Sequence, residues 1–119
     1  MNSRDEILDN LLQELKRGTL VLGVLLSINK PTYGYSLVGI LKNSGIKIEQ
    51  NTLYPLLRRL EKQGLLTSSW DTTESRPRKY YDISGFGKEL TEELKKEWVL
   101  LDETITKLIN KERENETGR

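Results

Sequence analysis

Apolar residues recur at the spacing of an α-helix in four stretches of the chain, and this pattern predicts four helices. The first covers residues 4–28, with a bend or break expected at Gly18, and the second covers residues 34–42. The fourth begins near residues 84–86 and ends near Arg113. The third has the clearest apolar face, which is formed by Leu53, Leu56, Leu57 and Leu60.

The third helix also carries signals at both of its ends. Asn51 or Thr52 is placed to cap its start, which would put Pro55 in the first turn, where a missing N–H costs little. Gly64 is placed to end the helix, since glycine readily adopts the left-handed conformation that follows many helices.

Two stretches between the third and fourth helices have the composition of β-strands. Residues 65–70 and residues 78–84 flank the turn-forming residues 71–77 and together predict a hairpin. Three helices, a hairpin and a long helix follow the order of a winged helix-turn-helix, so the predicted fold class is mostly α with a small β-hairpin. The predicted units are a DNA-binding domain in residues 1–84, a dimerisation helix in residues 85–113 and a disordered tail in residues 114–119.

The composition excludes much of enzyme chemistry. The chain has no cysteine and no histidine, so it cannot form a disulfide, a thiolate or imidazole metal site, or a Ser-His or Cys-His nucleophile pair. Carboxylate sites for hard cations remain open, but the sequence has no Asp/Glu loop pattern of the EF-hand kind. We expect no catalytic site, no metal and no cofactor. The longest apolar stretch, residues 20–26, is too short to cross a bilayer, and the N-terminus lacks the apolar core of a secretory signal. These features predict a cytoplasmic protein without a membrane partner.

Positive charge is concentrated in the middle of the chain, although the net charge is only +1. Residues 30–80 carry nine Lys/Arg and four Asp/Glu, a balance of +5, whereas residues 1–29 and 81–119 have balances of −1 and −3. A basic central segment that coincides with the predicted winged helix-turn-helix favours double-stranded DNA as a partner. The near-neutral total supports the alternative of a winged-helix module that binds protein rather than DNA.

Candidate DNA contacts lie on the third helix and near the hairpin. The outward face of the third helix carries hydrogen-bonding and cationic groups that suit a major groove, although an ordinary solvated helix face has the same composition. The hairpin turn carries cations that suit phosphates or a minor groove, and Tyr33 stands before the second helix, whose first N–H groups can bind a phosphate. The candidates are Tyr33, Asn51, Thr52, Tyr54, Arg58, Arg59, Arg76, Arg78 and Lys79.

The first and last helices predict a homodimer. Leu90, Leu94, Trp98, Leu101, Ile105 and Leu108 form a seam close to a heptad pattern, and no later element covers it. Two chains can bury such seams mutually around a two-fold axis. The alternative is that the first helix packs on the last within one chain.

Trp98 stands on this seam, with Asp102 one turn later on the same face. An indole beside a carboxylate can bind a flat cation, and Thr19 and Gly23 are small enough to leave space on the first helix. The alternative is that Trp98 is simply an apolar anchor of the dimer.

Three blocks of sequence resemble the PadR family of transcriptional regulators. They are Tyr33-Gly34-Tyr35-Ser36-Leu37, the long block from Thr52 to Leu66, and Arg78-Lys79-Tyr80-Tyr81. The short single last helix is similar to that of the smaller PadR subfamily. The chain departs from the family at Ser84-Gly85-Phe86-Gly87 and in its short turn, which contains Pro77.

This resemblance implies a repressor whose last helix packs on the first helix of the partner. Some family members bind planar drugs in a pore between paired tryptophans. The residues expected around such a pore are Trp98, Asp102, Leu12, Thr19 and Gly23, although Gly23 contributes no side chain. The predicted function is a homodimeric repressor that binds a pseudo-palindromic operator and is released by a planar aromatic ligand.

Overall fold

The computed structural model describes residues 3–117, and the side chains of residues 3–113. Three helices are followed by a hairpin and a long helix, which confirms the predicted winged helix-turn-helix. The elements are α1 (Arg4–Ser27), β1 (Thr32–Tyr33), α2 (Gly34–Asn43), α3 (Gln50–Lys62), β2 (Leu66–Asp71), β3 (Arg78–Ile83) and α4 (Gly85–Thr117).

The strand β1 was not predicted from the sequence. It adds to the hairpin to give an antiparallel sheet of order β1-β3-β2, with Thr32 opposite Tyr81 and Tyr33 opposite Tyr80. Two residues are too few to show the alternation that identifies a strand. Pro31 favours an extended Lys30, so the chain leaves α1 in a conformation that reaches the edge of β3.

The predicted start of α3 is wrong. The helix begins at Gln50, its N-cap is Glu49, and no side chain caps it. The Glu49 carbonyl instead accepts the amides of Thr52 and Leu53 at 3.0 and 2.9 Å. Pro55 consequently falls in the second turn, where it has no N–H to donate to the Asn51 carbonyl.

The two long helices differ from their sequence predictions in continuity and in length. α1 is one helix through Gly18, without the predicted break. α4 passes Arg113 and reaches Thr117, because residues 110–117 contain neither glycine nor proline. Gly118 and Arg119, the end of the predicted tail, lie outside the described residues. The division of the chain into domains stays a prediction.

The core joins the C-terminal end of α1 to α2, α3 and the sheet. Val24, Leu25 and Ile28 are buried against Leu37 and Leu41 of α2 and against the leucine face of α3. Leu66 and Tyr81 close the core from the sheet side. The predicted core face of α3 is confirmed, since Leu53, Leu56, Leu57 and Leu60 are all buried.

Much apolar surface lies outside this core. The N-terminal half of α1 exposes Ile7, Leu11 and Leu15, and the outer part of α4 exposes Leu101 and Ile105. The accessible surface is 9404 Å², whereas a compact monomer of this mass exposes about 6,600 Å². No helix in residues 3–117, these two included, is long and apolar enough to cross a membrane.

The start of α4 is fixed against the end of α3 by Ser84. Its hydroxyl donates to the Gly64 carbonyl at 2.6 Å and accepts the Gly87 amide at 2.9 Å. This bond caps the helix, which begins at Gly85 despite two glycines in its first turn. Gly87 is buried, and a Cβ at this position would overlap the Leu65 carbonyl oxygen and lie 2.7 Å from Ile83 Cγ1.

Gly87→Ala should therefore destabilise the protein by about 2 kcal/mol, since overpacking of this kind typically costs about 1 to 3 kcal/mol. Gly39→Ala is the matched control, because a Cβ on exposed Gly39 in α2 meets nothing within 4 Å. The control should be stabilised by up to about 1 kcal/mol. Urea unfolding followed by circular dichroism measures both, and equal midpoints for Gly87→Ala and wild type would contradict the close approach.

Candidate nucleic-acid interface

The outer face of α3 is presented to solvent because its opposite face is in the core. Successive helical residues are roughly 100° apart, so the line farthest from the leucine face is Asn51, Pro55, Arg58 and Lys62. All four are exposed. Asn51 and Arg58, two of the predicted DNA contacts, therefore stand on the most accessible line of the helix.

One flank of α3 faces α1. An open groove of about 380 Å³ runs between the two helices and contains Thr52 and Arg59 from α3 and Arg17 from α1. Its floor is formed by Leu20, Val21, Pro55 and Leu56. Thr52 and Arg59 were predicted to share a face with Arg58, but the structure turns them toward α1.

The other flank faces the wing, which is the hairpin of β2 and β3. A cleft of about 360 Å³ lies between them and combines aromatic rings with the cations Arg58 and Lys79. No carboxylate is among its lining residues. The cleft brings together four of the predicted contacts, Tyr33, Tyr54, Arg58 and Lys79, and adds Tyr35, Trp70, Pro77 and Tyr81.

Trp70 and Tyr35 were missed by the sequence analysis. Each is 62% exposed, which is unusual for such large rings. Trp70 pairs with Lys79 across the hairpin, so the two side chains project from the same face of the sheet. A predicted strand register would therefore have placed Trp70 beside a candidate DNA contact. The repeated tyrosine in Tyr33-Gly34-Tyr35 was the corresponding signal for Tyr35.

The tyrosine rings of this cleft pack against one another and against residues of β3. The Tyr33 ring lies 5.7 Å from the Tyr35 ring and 5.6 Å from the Tyr80 ring. Arg78 stacks over Tyr33 at 5.1 Å and pairs with Glu74 at 3.2 Å. Burial and the neighbouring tyrosines raise the pKa of Tyr54, so its hydroxyl stays protonated and able to donate a hydrogen bond.

Lys79 is held by the end of α3. Its ammonium donates to Glu61 Oε1 at 3.3 Å, and Glu61 Oε2 accepts the Ser68 hydroxyl. We call these three side chains the Glu61 clasp. The Ser68 bond and the Lys79 charge lower the pKa of Glu61, against the opposing effect of burial. Burial also opposes the charge on Lys79, but the Tyr81 hydroxyl and Glu61 outweigh it and raise the pKa of Lys79.

The turn of the wing carries Arg76, which is exposed. The turn is shaped by Asp71, whose carboxylate accepts the Thr73 amide at 3.0 Å and the Thr73 hydroxyl at 2.7 Å. These two bonds lower the pKa of Asp71. The wing therefore presents Arg76 at its tip, Arg78 on the Tyr33 ring and Lys79 in the clasp.

The residues predicted to bind a ligand lie apart from this interface, on the bare faces of α1 and α4. Trp98 is 44% exposed, and Asp102, Leu12 and Thr19 are also exposed. No hydrogen bond, ion pair or ring contact within residues 3–113 joins Trp98 or Asp102 to α1. Gly23 differs, because a Cβ there would lie 2.6 Å from Ile46 Cδ1. Ile46 of the same chain thus occupies the space beside Gly23.

Three helices share one core, the third helix exposes its outer face, and a wing lies beside that helix. These features define a winged helix-turn-helix protein. Residues 21–93 match the family described as the transcriptional regulator PadR-like family. Because this match covers more than half of the chain, the protein belongs to the PadR-like family. The family consists of transcriptional regulators and not of enzymes, which confirms both the predicted family and the predicted absence of enzymatic function.

Two solved structures agree with this assignment, and one sequence relative is uncharacterised. A PadR family transcriptional regulator from Eggerthella lenta is 48% identical, with 88% of this chain and 94% of that chain covered and a TM-score of 0.83. A PadR-like transcriptional regulator from Bacillus cereus is 29% identical, with 81% and 96% covered and a TM-score of 0.72. An uncharacterised protein of Lysinibacillus sphaericus is 34% identical over 84 residues, which are 67% of this chain and 77% of that protein.

Proposed function

We propose that the protein is a DNA-binding transcriptional repressor that binds a pseudo-palindromic operator as a homodimer. The observation that carries DNA binding is the exposed outer line of α3 beside a cleft lined by aromatic rings and by Arg58. A major groove admits one helix, and side chains near the helix N-terminus reach the base edges. Asn51 stands in the first turn of α3, and Arg58 extends the same exposed line two turns further along the helix.

Phosphate contacts come from the flanks of α3. The hydroxyls of Tyr33 and Tyr54 donate toward the backbone on the wing side, and Thr52 and Arg59 contact it on the α1 side. Arg76 and Arg78 extend this contact along the wing. Such contacts fix the orientation of the protein on the duplex, whereas base contacts select the sequence.

Arg58→Ala and Tyr54→Ala should each weaken operator binding by about 1 to 3 kcal/mol, because each removes a contact of α3 with DNA. Fluorescence anisotropy on the DNA upstream of the gene, at several salt concentrations, measures this. Lys107→Ala, on the outer part of α4, is the control and should bind like wild type. Tyr54→Phe isolates the hydroxyl.

Two results would count against DNA binding. One is the absence of specific binding by wild type, and the other is an affinity that does not change with salt. Recovery of one stoichiometric protein partner together with no DNA footprint would instead favour a winged-helix module that binds protein, which the net charge of +1 also permits.

Exposed apolar faces on α1 and α4 support the homodimer. α1 and α4 contact each other within one chain, yet this packing leaves Leu15 of α1 and Leu101 of α4 74% and 63% exposed. A second copy that buries these faces around a two-fold axis removes both from water. It also places two α3 helices about one turn of DNA apart, which requires an operator with two-fold symmetry.

Leu101→Glu combined with Ile105→Glu should convert the dimer to a monomer, because a carboxylate on the seam would be buried without a partner. Sedimentation velocity measures the assembly state. Lys107→Glu introduces a carboxylate on the polar face of the same helix and should remain dimeric. A dimer that persists in the double variant would place the interface elsewhere.

The dimer seam is also the proposed effector site. Trp98 and Asp102 project from the same side of α4, and Leu12 and Thr19 are exposed on α1. A planar aromatic cation would stack on the indole and pair with the carboxylate. Gly23 is the weakest member of this set, since Ile46 fills its space. Ligand binding at the seam would change the spacing of the two α3 helices and so release the operator.

Proflavine, a planar aromatic cation, should quench Trp98 fluorescence in a Trp70→Phe variant, which removes the other indole. Asp102→Asn should weaken proflavine binding several-fold, because it removes the opposite charge. Glu103→Gln, about 100° away around the helix, is the matched control. Equal affinities for these two variants would argue against the role of Asp102.

A further inference from the structure

We propose that the Glu61 clasp sets the angle between α3 and the wing, so that Glu61 and Lys79 are positioning residues for DNA binding. This inference rests on the proposed DNA-binding function and revises one part of it. Lys79 was predicted to contact DNA, but its ammonium is already bonded to Glu61.

The Glu61 carboxylate joins α3 to both strands of the wing. Glu61 stands in the last turn of α3 and bonds Lys79 of β3 and Ser68 of β2. Directly opposite residues of an antiparallel pair project to the same side of the sheet. Ser68 is opposite Tyr81 and Lys79 is opposite Trp70, so all four side chains face α3.

The clasp begins at the edge of the core and continues beyond it, because Ser68 is opposite the buried Tyr81 and Lys79 stands further out along β3. Leu66 is buried and pairs with Ile83, which fixes the base of the hairpin in the core. Trp70 and Lys79 lie four residues further along, or about 13 Å at the usual rise of a strand. Ser69 and Trp70 in that part of β2 are exposed. The bonds to Glu61 therefore tie this part of the hairpin to α3, while β1 pairs with β3 at Tyr80 and Tyr81.

The surroundings of the Lys79 ammonium suit a cation that holds protein elements together better than one that binds a phosphate. Its ammonium lies 5.1 Å from the Tyr81 ring and 5.9 Å from the Trp70 ring. Its side chain is 28% exposed and that of Glu61 is 32% exposed. Because the carboxylate neutralises the ammonium, the pair adds no net positive charge for DNA.

The two possible roles of Lys79, a phosphate contact or part of the clasp, predict opposite effects of Glu61→Gln on the affinity for DNA. If Lys79 contacts a phosphate, loss of the neighbouring negative charge should strengthen DNA binding. If the clasp positions the wing, Glu61→Gln should weaken binding although it makes the protein more positive. A lost phosphate contact also lowers the slope of log affinity against log salt by about 0.9, whereas a misplaced wing that retains its cations does not.

The experiment compares wild type, Glu61→Gln, Lys79→Met and the double variant by fluorescence anisotropy. The probes are the upstream DNA and a random duplex of equal length, each at several salt concentrations. We expect each single variant to weaken binding to the upstream DNA about tenfold, and the double variant to be no weaker, because the two residues act as one unit. The salt slope and the affinity for the random duplex should stay unchanged. The charge-exchanged variant, Glu61→Lys with Lys79→Glu, should recover part of the affinity.

Glu49→Gln is the matched control. It removes the same charge at the other end of α3, where the side chain makes no cap bond, and should bind DNA as tightly as wild type or more tightly. Glu61→Gln with wild-type or higher affinity would overturn the proposal. So would a slope reduced by about 0.9 in Lys79→Met, because that is the behaviour of a phosphate contact.

Amide hydrogen exchange without DNA separates this proposal from the proposed function. Glu61→Gln and Lys79→Met should speed exchange in residues 67–82, while the core amides of α3 and the behaviour of Glu49→Gln stay as in wild type. Unchanged exchange in the wing would overturn the clasp. Failure of wild type to bind DNA would overturn the proposed function, and the exchange rates would still decide whether the clasp holds the wing.

Discussion

Burial of the leucine face of α3 is the interaction on which the rest of the structure depends. Leu53, Leu57 and Leu60 are packed against the end of α1, against α2 and against the sheet. Because one side of the helix is fixed in this way, the opposite line from Asn51 to Lys62 must face solvent. The same packing sets the two flanks, one toward α1 and one toward the wing, and so decides which polar residues can act together.

The wing is attached to this helix at two levels. Its base is part of the hydrophobic core, through Leu66 and Tyr81, and apolar burial there is not directional. Its outer part is attached through Glu61, and hydrogen bonds are directional. The first level places a wing beside α3, and the second is the one that we propose restricts where the wing points. On that proposal, a residue without a DNA contact affects recognition.

The long helices α1 and α4 differ from α3, because much of their apolar surface in the described residues stays exposed although the two helices contact each other. The radius of gyration is 18.4 Å, whereas a compact chain of this length has about 13 to 14 Å. The difference comes from α1 and α4, which extend beyond the core. Exposed leucine and isoleucine on this scale are typical of a surface that another chain buries.

The sequence by itself determined the helices, the hairpin and the fold class, because these follow from local periodicity. The core face of α3 and the end of that helix at Gly64 could be read from leucine spacing and one glycine, and Gly64 indeed has a φ of 84°. The basic central segment and the family were also evident, since both depend on residue identity along the chain. The outward position of Asn51 and Arg58 follows from the same helical spacing.

Only the tertiary structure decided which residues meet. It paired β1 with β3, began α3 at Gln50, turned Thr52 and Arg59 toward α1, and bonded Lys79 to Glu61. It also placed Ile46 beside Gly23. These contacts join residues that are distant in the chain, such as Glu61 and Lys79, and no local pattern encodes them. Periodicity gives the direction of a side chain from its own helix or strand, whereas packing between elements determines what that side chain encounters.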